Sequence, residues 1–141
     1  MLVAHGRNTG EEFARKFSNV PGSYTSSLGF YTTAEIYEGN NGTSMRLDGL
    51  EPGFNDKARE RAIVIHGAPY VNESFIHDNG RLGRSQGCPA VDYKDLSYLL
   101  QNITNKSCLF IYYPDAKYST RSRVLASHAY LESFSSGSLD S

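Results

Sequence analysis

The stretch "SLGFYTTAEIYEGNNGTSMRLDGL" (27–50) limits this chain more than any other. Residues 27–39 are rich in aromatic and β-branched side chains and close on "GNNG", where Asn41-Gly42 forms a tight-turn pair. Residues 43–50 then alternate, with Met45 and Leu47 on one face and Arg46 and Asp48 on the other. Two strands joined this way predict a β-hairpin with one buried face. "RAIVIHG" (61–67) and "CLFIYYP" (108–114) are nearly continuous apolar runs, the pattern of strands covered on both faces, and Pro114 ends the second. The reading is therefore mainly β (α+β), in one domain of 141 residues.

Helix signals are fewer. Residues 92–105 place Leu96, Leu99, Leu100 and Ile103 at helical spacing, with Asp92 as N-cap and Asp95 in the first turn. Residues 10–18 set Phe13 and Phe17 four apart and predict a second helix. A short helical turn is expected over 55–61. Residues 119–141 read as a serine-rich C-terminal tail, partly disordered, with a small helix over 124–134. The folded domain is assigned to 1–118.

Several function classes are disfavoured at once. The formal net charge is −1, which gives no support for nucleic-acid or membrane-surface binding by bulk charge. No apolar run approaches the roughly 20 residues of a membrane-spanning helix, and "MLVAHGRNTG" lacks the pattern of a signal peptide in the chain as given. No metal site is expected, because no His or Cys pair has ligand spacing such as C-x-x-C, and no cofactor is implied. Nothing in the sequence specifies an oligomeric state. Of the two cysteines, Cys108 lies in an apolar run and reads as a core residue, while Cys88 sits on a bend, "GRLGRSQGCPAVDY" (80–93).

A thiol attacks as its thiolate, so a working cysteine needs a base, a positive field, or both. His66 ends the "AIVIH" strand and is the candidate base. Arg81 and Arg84 precede Cys88, and the helix starting near 92 follows it; these are the candidate fields. Gly87 allows a bend closed to other residues, its amide and that of Cys88 are candidate oxyanion donors, and the Ser85 hydroxyl suits closure of the turn. His5, in "VAHGRNTG", is a weaker candidate for the same cleft, and His77 weaker again. Each residue has a structural reading as well: a small cysteine near a turn, a satisfied core histidine, arginines on a solvated loop.

"IHGA" (65–68) followed by "GRSQGCPAV" (83–91) resembles the L,D-transpeptidase catalytic domain of bacterial cell-wall enzymes. "VAHGRNTG", "SSLGFYTT", "GNNGTSMRLDGLE" and "LFIYYPD" are similar to its murein L,D-transpeptidase branch, whose cysteine motif reads Ser-x-Gly-Cys-Pro. The resemblance spans about Val3 to Tyr118. It implies a β-sandwich or barrel with one or two short helices, lacking an N-terminal strand. It implies Cys88 as nucleophile, His66 as base, the Gly67 carbonyl as the group that orients the imidazole, and Gly87 in the oxyanion region. Arg81, Arg84, Ser85 and Gln86 become the substrate-binding set. Gln86 stands where the main family has histidine, and Ala90 where arginine or asparagine is common. The implied partner is a peptidoglycan stem peptide in the periplasm or cell envelope, joined to a second stem by a 3→3 cross-link through a thioester. Water as acceptor would make the reaction an L,D-carboxypeptidase. A peptidoglycan-binding module without turnover is the non-enzymatic alternative.

Overall fold

The hairpin forms as its pattern requires. In the computed structural model, which describes residues 1–127, β1 (Gly29–Gly39) pairs antiparallel with β2 (Gly42–Gly49). Met45 and Leu47 are buried, while Arg46 and Asp48 stay half exposed. The turn is shifted by one residue from the expected position. Gly39 pairs with Gly42, so Asn40 and Asn41 form the loop, and Gly42 takes the left-handed conformation at φ +80°. That is a position glycine fills without a Cβ penalty.

β3 (Val64–Gly67) is buried along its whole length. It runs antiparallel to β2 and parallel to β4 (Ala90–Val91), completing the sheet order β4-β3-β2-β1-β5. The sheet is curled into a half-barrel. β5 (Cys108–Ile111) departs from the expectation of a strand covered on both faces. It is an edge strand, paired only with β1, and Cys108 is exposed rather than in the core. Only Ile111 of β5 is buried, while Phe110 stacks on Phe30 with ring centroids 4.0 Å apart. Both cysteines are free thiols.

Three short helices accompany the sheet. α1 (Glu73–Asn79) was not expected. Asn72 caps it by accepting from the Phe75 amide at 2.7 Å, and Gly80 stops it at φ +79°, but it buries no residue and so carries no apolar stripe. α2 (Tyr93–Asn102) matches its periodicity. Asp92 accepts from the Lys94 amide at 3.1 Å, Leu96 is buried, and Leu99, Leu100 and Ile103 pack on the core. The helix ends short of 105 because Asn105 and Lys106 adopt φ +59° and +66°.

No helix forms over 10–18. Gly10 at φ +155° starts a tight bend in which the Thr9 carbonyl accepts from both the Arg15 and Lys16 amides, and Phe13 is left exposed. The 55–61 stretch is a series of turns. α3 (Ala116–Arg121) brings Tyr118 into the core, and the buried Ser122 follows it. Residues 123–127 are helical. The rest of the helix expected over 124–134, and the tail beyond, lie outside the described residues. No helix among the described residues is long and apolar enough to cross a membrane.

Candidate active site

The parallel pairing of β3 and β4 positions the chemistry. His66 lies opposite Ala90, and Gly67 opposite Val91. Cys88 lies two residues before Ala90, on the bend that leads into β4, and its sulfur meets the Val64 amide of β3. Cys88 and His66 line one cleft of about 830 Å³, a volume suited to a small ligand or peptide segment.

His66 is buried, and its Nδ1 lies 2.9 Å from the Gly67 carbonyl oxygen. A carbonyl only accepts, so Nδ1 carries the hydrogen, and Nε2 of the neutral ring is left as the basic nitrogen. Gly67 supplies more than this carbonyl. A Cβ there would fall 2.4 Å from Tyr93 Cδ1, so its bareness lets α2 close on β3.

The Cys88 sulfur accepts from the Val64 amide at 3.4 Å and donates to the Ala62 carbonyl at 3.5 Å. Burial pushes the thiol above its ordinary value, against the lowering effects of the Val64 amide and the nearby Arg61 charge. At neutral pH the resting sulfur is therefore a thiol and needs a base to take its proton. Ala62, whose carbonyl faces the sulfur, sits at φ +53°, a strained position for a residue with a side chain.

Ser85 builds the bend. Its hydroxyl donates to the Cys88 carbonyl at 2.6 Å and accepts from the Gly87 amide at 3.1 Å. The Gly87 carbonyl accepts from the buried Ser26 hydroxyl at 2.9 Å. The Ser85 hydroxyl thus closes the turn, with Ser85 also on the cleft wall, and the Gly87 amide, expected among the oxyanion donors, is engaged by that hydroxyl. The Cys88 amide has no protein acceptor among the described residues and remains a donor on the bend.

The remaining expected residues separate. Arg84 and the exposed Gln86 line the cleft with Cys88. Arg84 Nη2 is buried without a hydrogen-bond partner. Arg81 does not line the cleft; it faces Glu11, with Nη1 3.6 Å from the carboxylate. His5 is also elsewhere. Its Nδ1 is 3.0 Å from the Ser26 hydroxyl, behind the bend, and burial lowers its pKa. His77 is exposed beside Asp78. Arg61 joins Arg84 on the cleft wall with Cys88, whereas Arg81 does not.

Sequence reasoning passed over Arg61, although a charged residue abutting a buried strand run is a signal in itself. It also passed over Tyr24, Tyr37 and Tyr70, which line the cleft. Tyr24 holds φ +54°, and its ring lies 4.0 Å under the Arg7 guanidinium.

The curled sheet thus carries one cleft in which a thiol and an oriented imidazole lie together. The family model for the L,D-transpeptidase catalytic domain matches residues 1–112, and the chain belongs to that family. No curated protein and no solved structure matches the chain. The family acts on peptidoglycan and is associated with the cell envelope.

Proposed function

We propose that the protein is a cysteine acyltransferase of the cell envelope that acts on peptidoglycan stem peptides and forms 3→3 cross-links. The observation that carries this reading is the shared cleft of Cys88 and His66, with Nδ1 held by Gly67 and Nε2 left basic. The run Ser85-Gln86-Gly87-Cys88-Pro89 supports the murein branch of the family.

In the first step, His66 Nε2 takes the thiol proton as the sulfur turns from the Ala62 carbonyl. The sulfur then attacks the carbonyl of the third stem residue, and the Cys88 amide donates to the developing oxyanion. The C–N bond breaks, and the imidazolium returns the proton to the departing amine of D-alanine, leaving a thioester. In the second step an amine of another stem attacks. Its proton passes to His66, the C–S bond breaks, and the sulfur leaves. Arg84, on the cleft wall, is the candidate partner for a stem carboxylate, and Gln86 a neutral hydrogen-bonding contact. The three tyrosines supply amphipathic walls.

The test uses a Cys108→Ala parent, so that Cys88 is the only cysteine. Incubation with a stem tetrapeptide is expected to release D-alanine and leave a tripeptidyl adduct by intact mass. A second stem should convert the adduct into a cross-linked dimer. Cys88→Ser should abolish the adduct, and His66→Gln should slow its formation about 10²- to 10⁴-fold. Release of D-alanine without dimer would identify a carboxypeptidase. Undiminished release by Cys88→Ser would refute the proposal.

A further inference from the structure

We infer that Arg61 is a positioning residue, whose guanidinium is the fixed counter-charge for the Cys88 sulfur whenever that sulfur is ionised. The inference rests on Cys88 being the nucleophile, as proposed above. Arg61 immediately precedes the turn into β3, and it lines the cleft with Cys88. A Cβ built on Gly87, the neighbour of Cys88, would lie 3.4 Å from Arg61 Nη2.

The hydrogen bonds of Arg61 distinguish it from a ligand clamp. Nη1 donates to the Ser18 carbonyl at 2.8 Å and the Ser27 hydroxyl at 2.6 Å. Nη2 donates to the Thr25 carbonyl at 2.7 Å and the Ser23 hydroxyl at 3.1 Å. The two terminal nitrogens carry four N–H groups between them, and four acceptors occupy them. No terminal donor remains for a bidentate grip on a substrate carboxylate. All four acceptors are neutral, and no carboxylate pairs with Arg61 among the described residues. Arg59, two residues away, is the contrast: it bridges Glu35 and Asp48 on the surface.

A partly buried guanidinium without a counter-ion is costly, and it cannot shed its proton to escape the cost. The titratable groups that share the cleft with Cys88 are Tyr24, Tyr37, Glu60, Arg61, His66, Tyr70 and Arg84, and the buried Tyr31 meets Ser27, which Arg61 also contacts. Tyr31 is held neutral by burial and donates its hydroxyl hydrogen to the Ser27 carbonyl at 2.7 Å. The sulfur is then the group beside Arg61 that gains and loses negative charge during turnover. It does so when His66 takes its proton and again when it leaves the thioester. The serine and threonine acceptors hold the cation still without neutralising it, so its field is in place before the reaction.

The test needs no peptidoglycan. In the Cys108→Ala parent, the pH dependence of Cys88 alkylation by iodoacetamide gives a midpoint for thiolate formation. Arg61→Gln, shown folded by near-ultraviolet circular dichroism, should raise that midpoint by about one unit or more, slowing alkylation roughly tenfold below it. Arg61→Lys, which keeps the charge, should stay within about half a unit of the parent. An unchanged midpoint in folded Arg61→Gln would overturn the inference. If Arg61→Gln does not fold, Arg61→Met, which also removes the charge, decides: a midpoint raised by about one unit supports the inference, and an unchanged midpoint overturns it. Because alkylation is read without substrate, failure here is distinct from failure of D-alanine release in the parent.

Discussion

Gly87 holds φ +130°, a region closed to residues with a Cβ, directly before Cys88. An added methyl would meet the Thr25 carbonyl oxygen at 2.9 Å and Ile63 Cδ1 at 3.1 Å. Gly87→Ala is therefore expected to destabilise the fold by about 1–3 kcal/mol, measured by urea denaturation. It should also slow Cys88 alkylation, because the bend that seats the sulfur against Val64 must move. Cys88 and His66 were legible as residues, since a cysteine between glycine and proline and a histidine ending an apolar strand are both unusual placements. Arg61 was not, because its importance depends on four acceptors drawn from residues 18–27, and no local pattern announces such a cluster. Arg81 misled for the complementary reason. Nearness in sequence to Cys88 implied a shared field, whereas the intervening loop turns Arg81 toward Glu11.

Elements followed their periodicity where an apolar face had somewhere to go. α2 has its stripe on the core and its N-cap on Asp92. Asp92→Ala should cost about 1 kcal/mol in thermal or urea unfolding, because the Lys94 amide loses its acceptor at the helix start. Residues 10–18 show the opposite case. Phe13 and Phe17 have helical spacing, but the Gly10 bend and two amides converging on Thr9 satisfy the backbone without a helix. α1 escaped notice because its only signals are the caps Asn72 and Gly80, with no buried residue to give a period. β5 was recognised as a strand and misplaced as an inner one. An apolar run reports burial somewhere along its length, but whether a partner covers each face depends on sheet order.

Across the whole molecule, Glu51 ties chain segments far apart in sequence. Its buried carboxylate accepts from the Phe30 amide at 2.9 Å, the Tyr118 hydroxyl at 2.6 Å and the Ser122 hydroxyl. It thereby anchors α3 and the residue after it to the start of the hairpin. Glu51→Ala should destabilise the protein by at least about 2 kcal/mol, since it leaves three inward donors without an acceptor. Glu51→Gln should cost less, because the Ser122 hydroxyl can turn to accept from the new NH2 group while the amide oxygen keeps accepting from Phe30 and Tyr118. Chemical denaturation of the two variants, with limited proteolysis near residues 116–127, measures both effects. The sequence by itself determined the hairpin, the buried β3 strand and α2. Local periodicity and turn chemistry are encoded in neighbouring residues and survive without knowledge of the fold. Only the tertiary structure decided which arginine faces the sulfur, which amide on the bend stays unbonded, and on which strand the sheet ends. Those outcomes depend on hydrogen-bond partners and strand order brought together from separate parts of the chain.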